Sequence, residues 1–319
     1  MTIGTHLDMF HGLPAHNFPG PDATTDDLPE PDSVAWRISS YMYDADEEWQ
    51  KAISQFCAAV DTTRVRALIV GAWGEVFESG PSPIIEALLA ARDRFPALRA
   101  LFLGDIVMEE CEISWINQTD VSPLLAGFQA LEEFGVRGGS GLEFTALSHS
   151  ALRTLVVETG GLPAEVVRGI GESDLPALEF LDLWLGTPEY GGDSETSDLE
   201  PILSGARLPR LRHLALRNSE MQDAVAAAVA SAPVVERLEV LDLSMGVLTD
   251  EGAAALLSGQ PLTHLRKLDL HHHYLSQAVE ERVRQTLEAA GVQVDLDRDD
   301  ADEDTDNNGT VWRYVAVGE

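Results

Sequence analysis

Three six-residue strings in the second half of the chain share one pattern at one spacing. They are Leu211-Arg212-His213-Leu214-Ala215-Leu216, Leu238-Glu239-Val240-Leu241-Asp242-Leu243 and Leu265-Arg266-Lys267-Leu268-Asp269-Leu270, set 27 residues apart. The same apolar triplet recurs earlier at Leu178/Leu181/Leu183, Leu152/Leu155/Val157, Leu131/Phe134/Val136, Leu98/Leu101/Leu103 and Val65/Leu68/Val70. A degenerate ninth copy opens at Val292, with Val294 and Leu296. Self-similarity at a period of roughly 20–50 residues dictates stacked supersecondary units. The last two apolar residues of each triplet share one side of a short strand, and the residue between them points to the other. Strands that repeat in one direction need a crossover of about a dozen residues or more. The stretches 83–92, 223–230, 251–257 and 277–290 read as helices for that purpose, being Ala-rich or amphipathic with Gly or Pro near their ends.

The pattern resembles the leucine-rich-repeat proteins with helical returns, the ribonuclease-inhibitor-like type, over residues 62–296. That resemblance implies an α/β fold, a curved solenoid of about eight to nine units with parallel strands on the concave side and helices on the convex side. The chain departs from the family at its consensus Asn position, which holds Ile106, Ser219, Gly246 and His273 in four units. Backbone groups at those turns need other partners. The segments Ile113-Ser114-Trp115-Ile116-Asn117-Gln118-Thr119-Asp120 and Arg313-Tyr314-Val315-Ala316-Val317-Gly318-Glu319 are similar to bacterial intracellular leucine-rich-repeat proteins. This second likeness implies an accessory role in a biosynthetic or modification pathway.

An array exposes its core at each end unless it is capped. Residues 34–61 read as an N-terminal cap, a strand at 34–38 and a helix at 47–59 that buries Trp49, Ile53 and Phe56. Residues 1–33 read as an irregular arm, with five prolines between positions 12 and 33. Its Phe10, Leu13, Phe18 and Pro19 are expected on the cap around Trp36 and Trp49, because a short chain loses less entropy on a near surface than on the farther Phe102 and Phe180. Residues 297–319 read as an acidic linker and a C-terminal edge strand over 311–317. Insertions at 105–120 and 187–198 belong on a rim, where binding loops sit.

Charge narrows the partners. The chain has 21 Lys and Arg against 54 Asp and Glu, a net charge of −33. Phosphate backbones and anionic lipids are repelled by such a surface, so neither nucleic acid nor membrane is expected. The expected partner is a protein or peptide with a basic patch. Only Lys51 and Lys267 are lysines among the basic residues, a bias read as that of a GC-rich bacterial genome. Cys57 and Cys111 lie far apart in apolar settings and are expected as reduced thiols. The first residues lack the basic and apolar regions of a signal peptide, and no apolar run approaches ~18 residues, so the expected compartment is the cytoplasm.

Catalytic signatures do not emerge. There is no G-x-S-x-G nucleophile turn, and the glycines of 135–141 lack the lysine of a phosphate-binding loop. His271-His272-His273 cannot all reach one ion, because neighbours on an extended chain point to opposite sides. The tail Asp304-Thr305-Asp306-Asn307-Asn308-Gly309 opens like a calcium loop, but Val315 stands where the closing Glu belongs. A non-catalytic protein is therefore expected, with no cofactor and no metal. The repeat register instead projects Phe102, Arg137, Phe180, Asp182, Trp184, His213, Arg217, Asp242, Lys267, Asp269 and His271 onto the concave side. Aromatics and Arg are the residues that anchor interfaces, which makes these the candidate partner-binding residues. The function expected is a protein- or peptide-binding scaffold. An enzyme, or a small-molecule or metal-binding accessory, with a pocket between that face and the 187–198 insertion is the alternative.

Overall fold

A computed structural model of the chain describes residues 2–19, 28–40, 45–298, 301 and 303–318. It divides into two compact units, Met1–Glu158 and Thr159–Gly318. Both are mixed α/β, with mainly parallel strands in chain order and helices between them. Among the described residues no helix is long and apolar enough to cross a membrane.

The first unit begins with an antiparallel hairpin, β1 (Met9–Phe10) and β2 (Leu13–Asn17). It continues through β3 (Ala35–Ser40), β4 (Ala67–Trp73), β5 (Ala100–Leu103), β6 (Glu133–Arg137) and β7 (Thr154–Glu158), each parallel to the strand before it from β2 onward. Helices α1 (Ala45–Ala59), α2 (Ser82–Ala91) and α3 (Ser122–Gly127) make crossovers. The second unit alternates α4 (Ala164–Glu172), β8 (Phe180–Gly186), α5 (Thr196–Ser204), β9 (His213–Ser219), α6 (Gln222–Val229), β10 (Val240–Asp242), α7 (Asp250–Ser258), β11 (Lys267–Asp269), α8 (Gln277–Leu287) and β12 (Gln293–Asp295). A hairpin of β13 (Glu303–Thr305) and β14 (Val311–Arg313) closes it.

The repeat triplets set the register. Leu68, Leu101, Phe134 and Leu155 pair side by side in the first unit, and Leu181, Leu214, Leu241, Leu268 and Val294 do so in the second. The eight that precede Val294 are buried, so each strand presents its apolar side to the helices. Trp36, next to Leu68 in register, meets Phe56 of α1 at 5.4 Å between ring centroids. The alternate residues form the opposite, open face.

Side chains satisfy the backbone at the turns that follow these strands. Buried His273 accepts from the Leu275 N–H through Nδ1 at 3.1 Å and donates from Nε2 to the Leu296 carbonyl at 3.3 Å. Ser219 Oγ accepts from the Met221 N–H at 3.1 Å. Gly246 leaves room for Gln222, since a Cβ there would stand 2.4 Å from its Oε1, and Gln222 Nε2 donates to the Leu216 carbonyl at 2.8 Å.

The arm differs from the irregular chain expected of residues 1–33. Residues 20–27 lie outside the described residues, but β1 and β2 give the arm regular structure, and β2 adds a parallel strand beside β3. Its docking is also divided. Phe18 packs against Trp36 and Phe56, at 6.3 and 5.1 Å between centroids. Phe10 instead meets Phe102 edge to face at 5.9 Å, over a floor of Ala35, Ala67, Ile69 and Ala100, with Leu7, Leu13 and Ala15 beside it. Distance along the chain sets the cost of ordering an irregular segment, whereas a formed hairpin carries Phe10 across several strands at no further cost in ordering.

The C-terminal residues also depart from the expected linker and edge strand. The acidic linker contains β13, and only residues 311–313 of the expected edge strand are a strand. Residues 314–317 form a strap over three turns that are themselves 27 residues apart. Asn218, Met245 and His272 all have left-handed backbones, with φ of 57°, 66° and 54°. Asn218 holds Val317 with both ends of its amide, Met245 O accepts from the Ala316 N–H at 2.8 Å, and His272 Nε2 donates to the Tyr314 carbonyl at 2.9 Å.

Candidate functional site

Part of the open face of the first unit is apolar and covered by the arm. Phe102 is 3% exposed beneath Phe10. Arg137 is fully buried, its Nε donating to Glu158 at 2.7 Å and its Nη1 to the Ile106 carbonyl at 2.8 Å. Buried Asp105, 3.7 Å from Arg137 Nη1, accepts from Arg37 Nε at 2.7 Å and from the Leu7 N–H of the arm. Neither Phe102 nor Arg137 presents a surface to a partner here, contrary to the expectation that both face outward. A fully buried guanidinium requires carboxylates around it, and the chain supplies them from β7 and from the 105–120 insertion.

The open face of the second unit carries charge instead. Its strands place Asp182, Ala215, Asp242, Asp269 and Asp295 in one row, the residue between the two apolar positions of each repeat. The sequence gives these aspartates a local reason to adopt one orientation. Oδ1 of Asp242, Asp269 and Asp295 accepts from the backbone N–H two residues on, at 3.0, 3.1 and 3.3 Å. Such Asx turns end the short strands and leave each Oδ2 for the face.

Two cations of the chain answer the Oδ2 atoms. Arg217 reaches across Ala215, donating to both oxygens of Asp182, with Nε to Oδ1 at 2.9 Å, and lying 3.6 Å from Asp242 Oδ2. Its guanidinium also sits 5.1 Å from the ring centroid of Trp184. Lys267 Nζ donates to Asp269 Oδ2 at 2.7 Å and lies 3.6 Å from Asp295 Oδ2. His271 Nδ1 donates to Asp269 Oδ1 at 2.7 Å, and Phe180 rests against His213 at 4.1 Å between centroids.

Burial alone would raise the Asp269 carboxyl. The hydrogen bonds from His271 and Lys267 outweigh it and hold the group well below the usual carboxylate range. His271 is raised, chiefly by its bond to Asp269. His213 is lowered, chiefly by burial. The face therefore sets an imidazole whose charge burial disfavours beside an aromatic ring, and a cation-favouring imidazole within the aspartate row.

Of the residues expected on this face, Phe180, His213, Arg217, Lys267 and His271 are half-buried, Asp182, Asp242 and Asp269 are 4–7% exposed, and Trp184 is 1% exposed. Trp184 therefore backs the face and does not form part of its surface. Asp295 escaped sequence reasoning although it occupies the same slot between Val294 and Leu296, because that last repeat is degenerate. One ligand atom each from Asp269, His271 and Asp295 lies within 4.8 Å of the others, a set able to hold a metal ion. Beside the 187–198 insertion is a cavity of about 240 Å³ lined by Gly186, Pro188, Gly192, Ser194, Ser219 and Glu220.

The chain is similar in structure to a Bacteroides fragilis protein whose crystal structure was determined by the Northeast Structural Genomics Consortium. The TM-score is 0.76 at 29% sequence identity, over 89% of this chain and 78% of that one. No protein-family model matches the chain, and no curated protein matches it.

Proposed function

We propose that the chain is a cytoplasmic leucine-rich-repeat solenoid, strands on its concave side and helices on its convex side, that binds a protein or peptide and catalyses no reaction. The register of the triplets and the helical returns support the repeat assignment. The aspartate row carries the functional reading, since four aspartates stand in one line with the chain's own Arg217 and Lys267 as placeholders for cationic side chains. A partner that presents Arg or Lys at strand spacing, about 4.8 Å, exchanges its cations for those two. A net charge of −33 speeds the encounter and selects against anionic partners. An accessory role in a biosynthetic or modification pathway fits a scaffold of this kind.

Affinity capture from native extract tests this reading, comparing the wild type with Asp242→Asn/Asp269→Asn. A stable basic partner on the wild type, lost from the variant and at 0.5 M salt, is expected; the same proteins on both would refute it. A second reading, a metal or small-molecule accessory, draws on the Asp269, His271 and Asp295 set and on the cavity beside the 187–198 insertion. Zinc bound stoichiometrically by the wild type and not by His271→Gln would favour that second reading.

A further inference from the structure

Two loops of the first unit hold large apolar side chains outside the core. Trp115 is 60% exposed, Phe77 53% and Met108 51%. Single exposed apolar residues are ordinary. These are set apart by the frame that holds them. Trp115 closes a short 3-10 turn, Ile113–Trp115, and the flanking Ile113 and Ile116 are 3% and 0% exposed. Two residues further on, Asn117 is bonded to the neighbouring loop. Its N–H donates to the Val76 carbonyl at 2.9 Å and its Nδ2 donates to the Phe77 carbonyl at 2.8 Å. The junction is tight, since a Cβ on Gly80 would stand 2.7 Å from the Gln118 carbonyl oxygen. The loops bearing the two rings are thus stitched together and anchored on both flanks, so the rings stay outward at little entropic cost to a binding partner.

Within the two loops the charged side chains have one sign. Neither 74–91 nor 105–120 contains a Lys or Arg, while Glu75, Glu78, Glu109 and Glu112 flank the exposed side chains. Glu78, Glu109 and Glu112 are exposed. The carboxyls of Glu75 and Glu78 share a hydrogen bond that raises Glu75 above its usual range, a sign of crowded negative charge that a cation would relieve. Aromatics and Met are enriched at the centres of interfaces, with polar and charged groups at the rim.

We propose that Phe77 and Trp115, with the four glutamates of their loops, dock a basic amphipathic segment of a partner protein. The partner's apolar side chains rest on the two rings and its Lys or Arg side chains meet the carboxylates. This surface shares no residue with the aspartate row, so it can fail or succeed on its own.

Two fluorescein-labelled 14-residue peptides with equal numbers of lysines test the proposal on the full chain, one with leucines at helical spacing and one with serines in their place. Fluorescence anisotropy is expected to give the leucine peptide at least about tenfold tighter binding. Phe77→Ala/Trp115→Ala should erase that margin and leave serine-peptide affinity unchanged, with an unaltered circular dichroism melt because both rings are exposed. Glu75→Gln/Glu78→Gln/Glu109→Gln/Glu112→Gln should weaken both peptides. Equal wild-type affinity for the two peptides, or a tenfold margin that survives loss of both rings, would overturn the proposal. So would binding of neutral phosphatidylcholine vesicles through the same rings with no preference between peptides.

Discussion

Phe10→Ala is the sharpest test of how the arm is held. Phe10 is 6% exposed, sits edge to face on Phe102 and completes a floor in which three alanines cannot extend to fill the space of a lost ring. Burial of a phenylalanine side chain contributes about 1.5–3 kcal/mol, and an aromatic pair adds about 0.5–1.5 kcal/mol. A cavity over alanines would push the total higher, but the arm can detach from the floor, so the loss stops at the free energy of its docking. The expected destabilisation is about 3 kcal/mol, confined to the arm. Hydrogen–deuterium exchange reads this directly. The Leu7 N–H, which donates to buried Asp105, and the Ala15 N–H, which donates to the Asp8 carbonyl, should exchange about 100-fold faster. Amides of β4 and β5 should keep their protection, and Phe18 should remain packed on Trp36 and Phe56. Unchanged exchange at Leu7 and Ala15 would refute the argument that Phe10 secures the arm. Equal acceleration across β4 and β5 would show that the arm is part of one cooperative core.

The strap at the other end gives a second expectation. Asn218→Ala removes both hydrogen bonds to Val317 and places a less tolerant residue at a φ of 57°, so urea unfolding should report a loss of about 2–4 kcal/mol, with faster carboxypeptidase trimming of the tail. The third expectation concerns pH. His271 is raised above its ordinary 6.5, so its contribution to stability is complete below that value and is lost as pH rises through the raised folded value. Asp269 is lowered, so its contribution is present above 3.8 and is lost only as pH falls through its depressed folded value. An NMR titration should place His271 above 6.5, and Asp269→Asn should return it toward that value; an unmoved His271 would separate the two groups.

Much of the scaffold was legible in the residues because it follows from local rules repeated many times. Alternation of Leu181, Asp182 and Leu183 selects one buried and one open side, and the recurrence of that unit selects parallel neighbours in register. The helices at 82–91, 222–229, 250–258 and 277–287 lie close to their expected positions, since Ala-rich amphipathic segments between short strands have few alternatives. The aspartate row was legible for the same reason, apart from Asp295, whose flanking residues depart from the repeat.

Coverage was not legible. Phe102, Arg137 and Trp184 follow the alternate positions of the repeat yet are buried, because periodicity assigns a residue to a face without saying what lies over it. Phe10 on Phe102, Asp105 and Glu158 around Arg137, and Asn218 on Val317 join residues separated by 21 to 99 positions. Such contacts depend on where a hairpin or strap is carried once strands have already stacked, and no local propensity encodes that. The sequence by itself determined which residues share a face; the tertiary structure decided which parts of that face remain open, because burial is settled by segments distant in the chain competing for the same apolar floor or the same unsatisfied backbone.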